Sequence, residues 1–467
     1  MALMFSVSGL RGIANTDLTQ EIAVSVTRAF AAFMKAHTIV LGRDTRPSSS
    51  MFAKAITEAL KTNGCRVINL DIVPTPTVLF IVRRVKADAG IMITASHNPI
   101  DNNGIKLINS RGEFLDDKAV TDFLAFIRQP VRPASSSVKS PVVMYREAVD
   151  RHISEILDVL DMGKKEEKDK KSKKDKKGKK VSIKTETVAV PLRIAVDAVS
   201  GAGSYAMPAL LERLGCTVLR LNCEFRSAFP RPPEPTPENI TGLCELVKQE
   251  HCDLGFAVDP DCDRLSIVDN QGNAIGEENT LVLAAEQVLG AARRKTCLVT
   301  NLSTTSRMDH IARQYRSRLI RTMVGEAHVV DAIKKAKAMI GGEGNGGVIY
   351  PRINATRDAL VAAALVIKLL TSRKQKLSEL ISRYPPLYMV KEKIETTEEK
   401  FLAKQAAIIR AFKGKVNKTD GLKITKKDSW VHIRPSNTEP LVRIIAEASD
   451  QKTAREIIKA VKRILKR

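Results

Sequence analysis

Four short stretches of this chain carry side chains that could do chemistry. In Thr94-Ala95-Ser96-His97-Asn98-Pro99 a hydroxyl stands beside an imidazole and an amide, directly after the apolar run Ile91-Met92-Ile93. Such a run ends at the carboxyl edge of a sheet, where open α/β sheets bind ligands. Ser96 therefore reads as an exposed hydroxyl on a turn, with His97 and Asn98 as its proton and hydrogen-bond partners. Pro99 removes a backbone donor and stiffens the exit from the turn. An ordinary strand-to-helix loop uses the same residue types, so this stretch alone decides little.

The second stretch is Asp259-Pro260-Asp261-Cys262-Asp263-Arg264, after the apolar strand Leu254 to Val258. Carboxylates at alternate positions can turn toward one point and offer hard oxygen ligands, which suits Mg²⁺. An EF-hand loop also alternates acids, but needs glycine at its sixth position and glutamate at its twelfth. Arg264 and Asn270 stand there instead. The third is Gly341-Gly342-Glu343-Gly344-Asn345-Gly346-Gly347, whose glycines let backbone approach a ligand while Glu343 and Asn345 offer acceptors and donors to sugar hydroxyls. Its spacing does not fit the dinucleotide fingerprint. The fourth is Arg434-Pro435-Ser436-Asn437-Thr438-Glu439-Pro440, with Arg443 beyond. Hydroxyls and turn amides make an oxyanion cradle there, with Arg434 and Arg443 able to fork onto phosphate.

These loops need elements to hold them, and three segments repeat one design. Thr38 to Leu70 runs strand, polar turn, helix, strand; Leu192 to Leu221 repeats it, and Thr296 to Arg321 is a looser copy. Units of this length call for right-handed parallel crossovers. The fold predicted is α/β: three related domains with mixed or parallel sheets, then a smaller C-terminal α+β domain. The smaller domain follows Tyr384-Pro385-Pro386, with short strands at Lys391 to Glu395, Leu422 to Thr425, Trp430 to Ile433 and Val442 to Glu447 around helices at Thr397 to Phe412 and Gln451 to Lys466. The divisions read as 1–145, 146–290, 291–385 and 386–467.

Composition limits the function classes. The 467 residues exceed what one core supports. The formal charge of +24 invites a nucleic-acid reading, but part of it sits in a lysine-rich run from Gly163 to Lys184 inside an insert at about 163–185. That run cannot bury apolar area and is predicted disordered. Aromatic content of 4% leaves few base-stacking platforms, so the tract is the one hint of nucleic-acid binding. The remaining basic charge suits an enzyme of anionic substrates. Seven dispersed cysteines without a Cys-x-x-Cys pair suggest reduced thiols. With no signal-peptide pattern and no long apolar run, the expectation is a soluble cytoplasmic protein without a membrane partner.

Taken in order, the four loops resemble those of the α-D-phosphohexomutases, the family of phosphoglucomutases, phosphomannomutases and phosphoglucosamine mutases. The resemblance extends to Ser8-Gly9-Leu10-Arg11-Gly12, Gly42-Arg43-Asp44-Thr45-Arg46, Asn103-Gly104-Ile105-Lys106, Pro233 to Asn239 and Arg357-Asp358-Ala359-Leu360, and covers essentially everything but the lysine tract. It implies four domains around a central cleft, each giving one loop. It implies an isomerase in which Ser96 is carried phosphorylated and its phosphate completes the shell of one Mg²⁺ held by Asp259, Asp261 and Asp263. Ser96 gives its phosphoryl group to a phosphosugar, and the resulting bisphosphate, intermediate and activator alike, turns over and returns the other phosphate. Lys106 and His97 are then the proton-transfer candidates, Arg11 and Arg264 lie near the transferring group, and Glu343 and Asn345 hold the sugar. Arg434, Ser436, Asn437, Thr438 and Arg443 hold the distal phosphate. Such transfer needs charge neutralisation and alignment above all.

The form GEGNGGVIYP looks like the branch often assigned as phosphoglucosamine mutase, so glucosamine phosphate is the expected substrate, with mannose or glucose phosphates the alternative. That branch usually has an acid, a histidine and an aromatic after the proline, where Arg352, Asn354 and Ala355 stand; Ser200 replaces a frequent asparagine. A serine- and Mg²⁺-dependent phosphatase would share Ser96 and the aspartates but would not need a second phosphate cradle at Arg434.

Overall fold

The computed structural model describes residues 4–6, 9–128, 140–162, 191–226, 228–293, 296–435 and 441–466. The lysine tract, for which disorder is predicted, lies outside the described residues.

Three sheets are built alike. Thr38–Arg43 pairs in parallel with Arg66–Ile72 on one side and Ala89–Ile93 on the other, and Ala89–Ile93 turns back antiparallel into Asn102–Asn109. Arg193–Asp197 stands likewise between Thr217–Leu221 and Leu254–Val258, with Leu265–Val268 as the returning strand. Cys297–Asn301 stands between Arg318–Thr322 and Ile340–Glu343, which returns as Gly347–Ile349. The sequence repeats are the centre strand, first helix and first neighbour of each sheet; those helices are Pro47–Thr62, Gly203–Arg213 and Arg307–Gln314. The first sheet is widened to seven strands by Met4–Ser6, Gly9–Ile13 and Val142–Met144. What the periodicity did not show is that each third strand ends in a hairpin, not a crossover helix.

One core joins the three sheets. Residues of Thr75–Arg84, Ala148–Val159, Glu278–Gly290 and Ala359–Arg373 pack together in it with the inner faces of the sheets. Helix Ala359–Arg373 is buried from Ala359 through Ile367 without a break, which is why its sequence is apolar on every side. Asp358 caps it, its Oδ1 accepting from the amides of Leu360 (3.1 Å) and Val361 (3.2 Å). The outer face of each sheet has its own smaller core.

The C-terminal domain is a five-stranded antiparallel sheet, ordered Tyr388–Glu395, Leu441–Ala448, Ser429–Pro435, Leu422–Thr425, Lys415–Asn417. Helices Glu398–Phe412 and Gln451–Lys466 bury Phe401, Ile408, Ile458 and Val461 against it. The predicted fold class holds; the edge strand Lys415–Asn417 was not foreseen. No described helix is long and apolar enough to cross a membrane.

Candidate active site

The three chemistry-bearing loops of the first three sheets occupy one topological place, the turn between the third parallel strand and its return. They are residues 94–101, 259–264 and 344–346. The fourth loop joins Ser429–Pro435 to Leu441–Ala448, where Arg434 and Arg443 face each other in register. Ser436, Asn437 and Thr438 lie outside the described residues.

Ser96 corrects one expectation. It is not an exposed turn hydroxyl: only 1% of it reaches solvent, because the second domain closes over it. Its Oγ donates to Asp259 Oδ2 at 3.1 Å and lies 3.3 Å from His97 Nδ1. Its φ of 52° is left-handed, a conformation that costs a non-glycine residue of order 1 kcal/mol or more. The loop is held in that shape by Arg46, which is itself fully buried. Arg46 donates to the carbonyls of Ser96 (2.6 Å), Asn98 (2.7 Å) and Asn102 (3.1 Å) and pairs with Asp44 at 3.0 Å. Thr94 Oγ1 accepts from the Ser96 amide at 2.9 Å.

Asp259, Asp261 and Asp263 are all buried, and one oxygen from each lies within 4.8 Å of the other two. Asp259 Oδ1 accepts from the amides of Asp263 (3.0 Å) and Arg264 (3.1 Å), so the loop folds around its own first carboxylate. Burial first, then the carboxylates of Asp263 and Asp261, push the Asp259 carboxyl well above its ordinary range. Burial alone would raise Asp261 too, but Lys106 at 2.6 Å and Thr75 Oγ1 at 2.6 Å hold it low. Asp261 Oδ1 and Asp263 Oδ1 have no hydrogen-bond partner among the described residues. Buried carboxylate oxygens left unpaired, in a cluster whose charges repel, are what a hard divalent cation satisfies. The donor set fits Mg²⁺.

Cations surround this centre. Lys106 Nζ also lies 3.8 Å from Asp263 Oδ2. Arg357 pairs with Asp263 (2.8 Å), Glu343 (3.2 Å) and Glu326 (3.3 Å), and so ties the metal loop to the sugar loop. Arg264 reaches Glu234 at 3.0 Å. Burial, then Arg264, Arg11 and Arg357, hold the His97 imidazole well below its ordinary value, which favours the neutral ring. Arg11, Lys106 and Arg357 line a cavity of about 340 Å³ between the first and third domains.

A second cavity of about 130 Å³ is lined by Glu343, Asn345, Arg434 and Arg443 with Glu278, Lys391 and His432. Glu343 is fixed by Asn301 Nδ2 (2.9 Å) and the Gly325 amide (3.0 Å). A Cβ at Gly344 would stand 1.9 Å from the Glu278 carboxylate, so a larger residue there would have to displace that side chain. Arg434 is held by Asp420 at 2.7 Å. The structure thus brings Ser96, His97, Lys106, Arg11, Arg264 and the aspartates to one centre, and Glu343, Asn345, Arg434 and Arg443 to its neighbour. Sequence reasoning gave no role to Arg46, Arg357, Thr75, Glu278 or Lys391. Arg46 and Arg357 stood in stretches already singled out; Thr75, at an ordinary helix start, gave no signal.

Four family descriptions match the chain in order: phosphoglucomutase/phosphomannomutase α/β/α domain I over residues 2–129, domain II over 173–272, domain III over 277–388 and the C-terminal domain over 391–464. A Thermococcus kodakarensis protein named phosphoglucomutase/phosphomannomutase is 34% identical over 98% of this chain and 97% of its own. A Methanopyrus kandleri protein, named as a probable phosphoglucosamine mutase, is 31% identical over 98% of this chain and 96% of its own. Among solved structures, a phosphoglucomutase/phosphomannomutase family protein of Burkholderia thailandensis has a TM-score of 0.80 at 24% identity, covering 99% of this chain and 98% of that one.

Proposed function

The chain belongs to the phosphoglucomutase/phosphomannomutase family and is a phosphohexomutase, and on that premise we propose that it interconverts glucosamine 6-phosphate and glucosamine 1-phosphate. The observation that carries the reading is the 3.1 Å contact of Ser96 Oγ with Asp259 across the first and second domains, beside the 2.6 Å pair of Lys106 and Asp261. A phosphoryl group on Ser96 would lie against the aspartate cluster with cations around it. Asp259, Asp261 and Asp263 would hold one Mg²⁺, which would supply charge neutralisation to the transferring phosphoryl group. A hydroxyl of the bound phosphosugar attacks the phosphorus of phosphorylated Ser96 and gives its proton to His97, while the bond from phosphorus to Ser96 Oγ breaks and the freed oxygen takes a proton from the Lys106 ammonium. Arg11 and Arg264 offset charge on the equatorial oxygens. The bisphosphate formed turns within the cleft and returns its other phosphate to Ser96. Glu343 and Asn345 bind sugar hydroxyls, and Arg434 and Arg443, with Ser436, Asn437 and Thr438, hold the phosphate that is not reacting.

Glucosamine is the preferred sugar on two grounds: the GEGNGGVIYP loop and the relative named as a probable phosphoglucosamine mutase. The test is a panel of hexose and hexosamine 1- and 6-phosphates, with products resolved by ³¹P NMR. Glucosamine phosphate is expected to give the highest kcat/KM. A preference for glucose or mannose phosphate would move the enzyme to the other branch with its mechanism unchanged, whereas phosphate release without isomerisation would identify a phosphatase.

A further inference from the structure

The imidazole of His152 belongs to none of these loops, yet it is among the most completely buried polar groups, with a side-chain exposure of 0%. It lies on helix Ala148–Val159 with its ring stacked on Phe80, centroids 5.0 Å apart. Nδ1 is 3.0 Å from Thr77 Oγ1, and Nε2 is 3.0 Å from Asp358 Oδ2 and 3.3 Å from Asn354 Nδ2. With the ring proton on Nε2 facing the carboxylate, Nδ1 accepts from the Thr77 hydroxyl.

Those partners belong to the starts of two helices from different domains. Thr77 is in the first turn of Thr75–Arg84, and Asp358 is the cap of Ala359–Arg373. The same two helix starts grip the metal loop. From the first, the Thr75 amide donates to the Asp261 carbonyl at 2.9 Å and Thr75 Oγ1 donates to Asp261 Oδ2 at 2.6 Å. From the second, the Ala359 amide points at the Cys262 carbonyl at 3.4 Å. Asn354 adds a strand to the link, its Nδ2 donating to Pro76 O at 3.1 Å and to Asp358 Oδ2 at 3.2 Å. Thr75 and Ala359 hold neighbouring residues of a loop whose Cys262 sits at a left-handed φ of 56°, so any drift between the helices moves the Asp261 carboxylate relative to its neighbours.

We infer that His152 is a positioning residue for the metal loop: by tying Thr77 to Asp358 it fixes the two helix starts that set where Asp261 stands. Both ring nitrogens of His152 have partners, and buried hydrogen bonds of that kind give rigidity that packing alone does not; partners behind a metal's ligands govern affinity through orientation. The inference rests on the metal reading proposed above.

The test uses the full chain, Mn²⁺ as probe, and electron paramagnetic resonance to count free Mn²⁺ without substrate. His152→Phe keeps the stacking on Phe80 and loses both hydrogen bonds; Thr77→Val is close to isosteric and loses the hydroxyl; Thr77→Ser keeps it. His152→Phe and Thr77→Val should each weaken Mn²⁺ binding roughly tenfold, the double variant no further than either, and Thr77→Ser by less than about twofold. Wild-type Mn²⁺ affinity in the two single variants, whatever their melting temperatures, would reduce His152 to a structural bolt and overturn the proposal. Losses that multiply in the double variant would overturn it too, since the pair would not act as one link. Should His152→Phe fail to fold, Thr77→Val decides alone. Absence of Mn²⁺ binding by the wild-type chain would overturn the metal assignment and the His152 role with it, a failure visible before any variant is made.

Discussion

The two ends of the cleft are built on different principles. At the proposed phosphoryl-transfer end the three aspartates are buried and each is held by a neighbour from another domain: Ser96 on Asp259, Thr75 and Lys106 on Asp261, Arg357 on Asp263. At the distal end Arg443 is exposed, and Arg434 is 23% exposed and, among the described residues, pairs within its own domain, with Asp420. Transition-state stabilisation needs charges fixed before the reaction starts, which burial and cross-domain contacts provide. A site that must take up either phosphate and let it go again needs charge that stays hydrated and adjustable. That contrast makes the variants below unequal.

The largest effect belongs to Ser96. Ser96→Ala should cut turnover by roughly 10⁴-fold or more, as loss of a covalent nucleophile does, while stability falls by only about 1 kcal/mol for the lost hydrogen bond to Asp259. Intact mass after incubation with a sugar bisphosphate would check it; a phosphorylated variant turning over normally would remove Ser96 from the mechanism. Next is Asp261→Asn, which takes one charge from the cluster and leaves Lys106 without its closest partner. Mn²⁺ affinity should drop by about 100-fold or more in titration, and unchanged binding would break the claim that this end is the metal centre.

At the distal end the losses should be smaller and of another kind. Arg434→Ala removes one charge-assisted contact and should raise KM roughly tenfold, with bisphosphate escaping more often per turnover. An unaltered KM with no extra bisphosphate in the medium would show that Arg434 does not hold the remote phosphate. The smallest effect concerns His432, buried between Ser303 Oγ (2.8 Å) and the Asp420 carbonyl (2.6 Å). Burial chiefly lowers its imidazole to about 4 from the ordinary 6.5. Between those two values the unfolded chain binds the proton more readily, so stability should fall as pH drops through that window, by about 2–3 kcal/mol at most. Thermal unfolding at pH 7 and pH 4 should show His432→Asn losing less stability on acidification than the wild type. Equal losses would mean that His432 does not govern this junction.

How far the sequence reached differs between the same two ends. That Ser96 and the aspartates stand in strand-end loops was legible because those residue types come in short runs after apolar strands, and such runs survive as contiguous text. Arg46 and Arg357 stood in recognised stretches, but that Arg46 would staple the Ser96 loop by its carbonyls, or that Arg357 would bridge two domains, depends on partners about 50 to 90 residues away. The exposure expected for Ser96 failed for the same reason: burial was added by Asp259, which no local pattern around residue 96 mentions.

The sequence by itself determined the α/β class, the threefold strand–helix–strand repeat, and which short runs carry a hydroxyl beside an imidazole, clustered carboxylates and guanidinium groups, since these are properties of residue type and local period. Only the tertiary structure decided that each third strand returns as a hairpin, that three of the loops therefore share one place in their sheets, and that Thr75, His152 and Asp358 stand behind the metal loop. Threonine and aspartate at helix starts, and a histidine inside a helix, look ordinary in a chain. Their roles come from helices of separate domains meeting in one core, and no single stretch of sequence encodes that meeting.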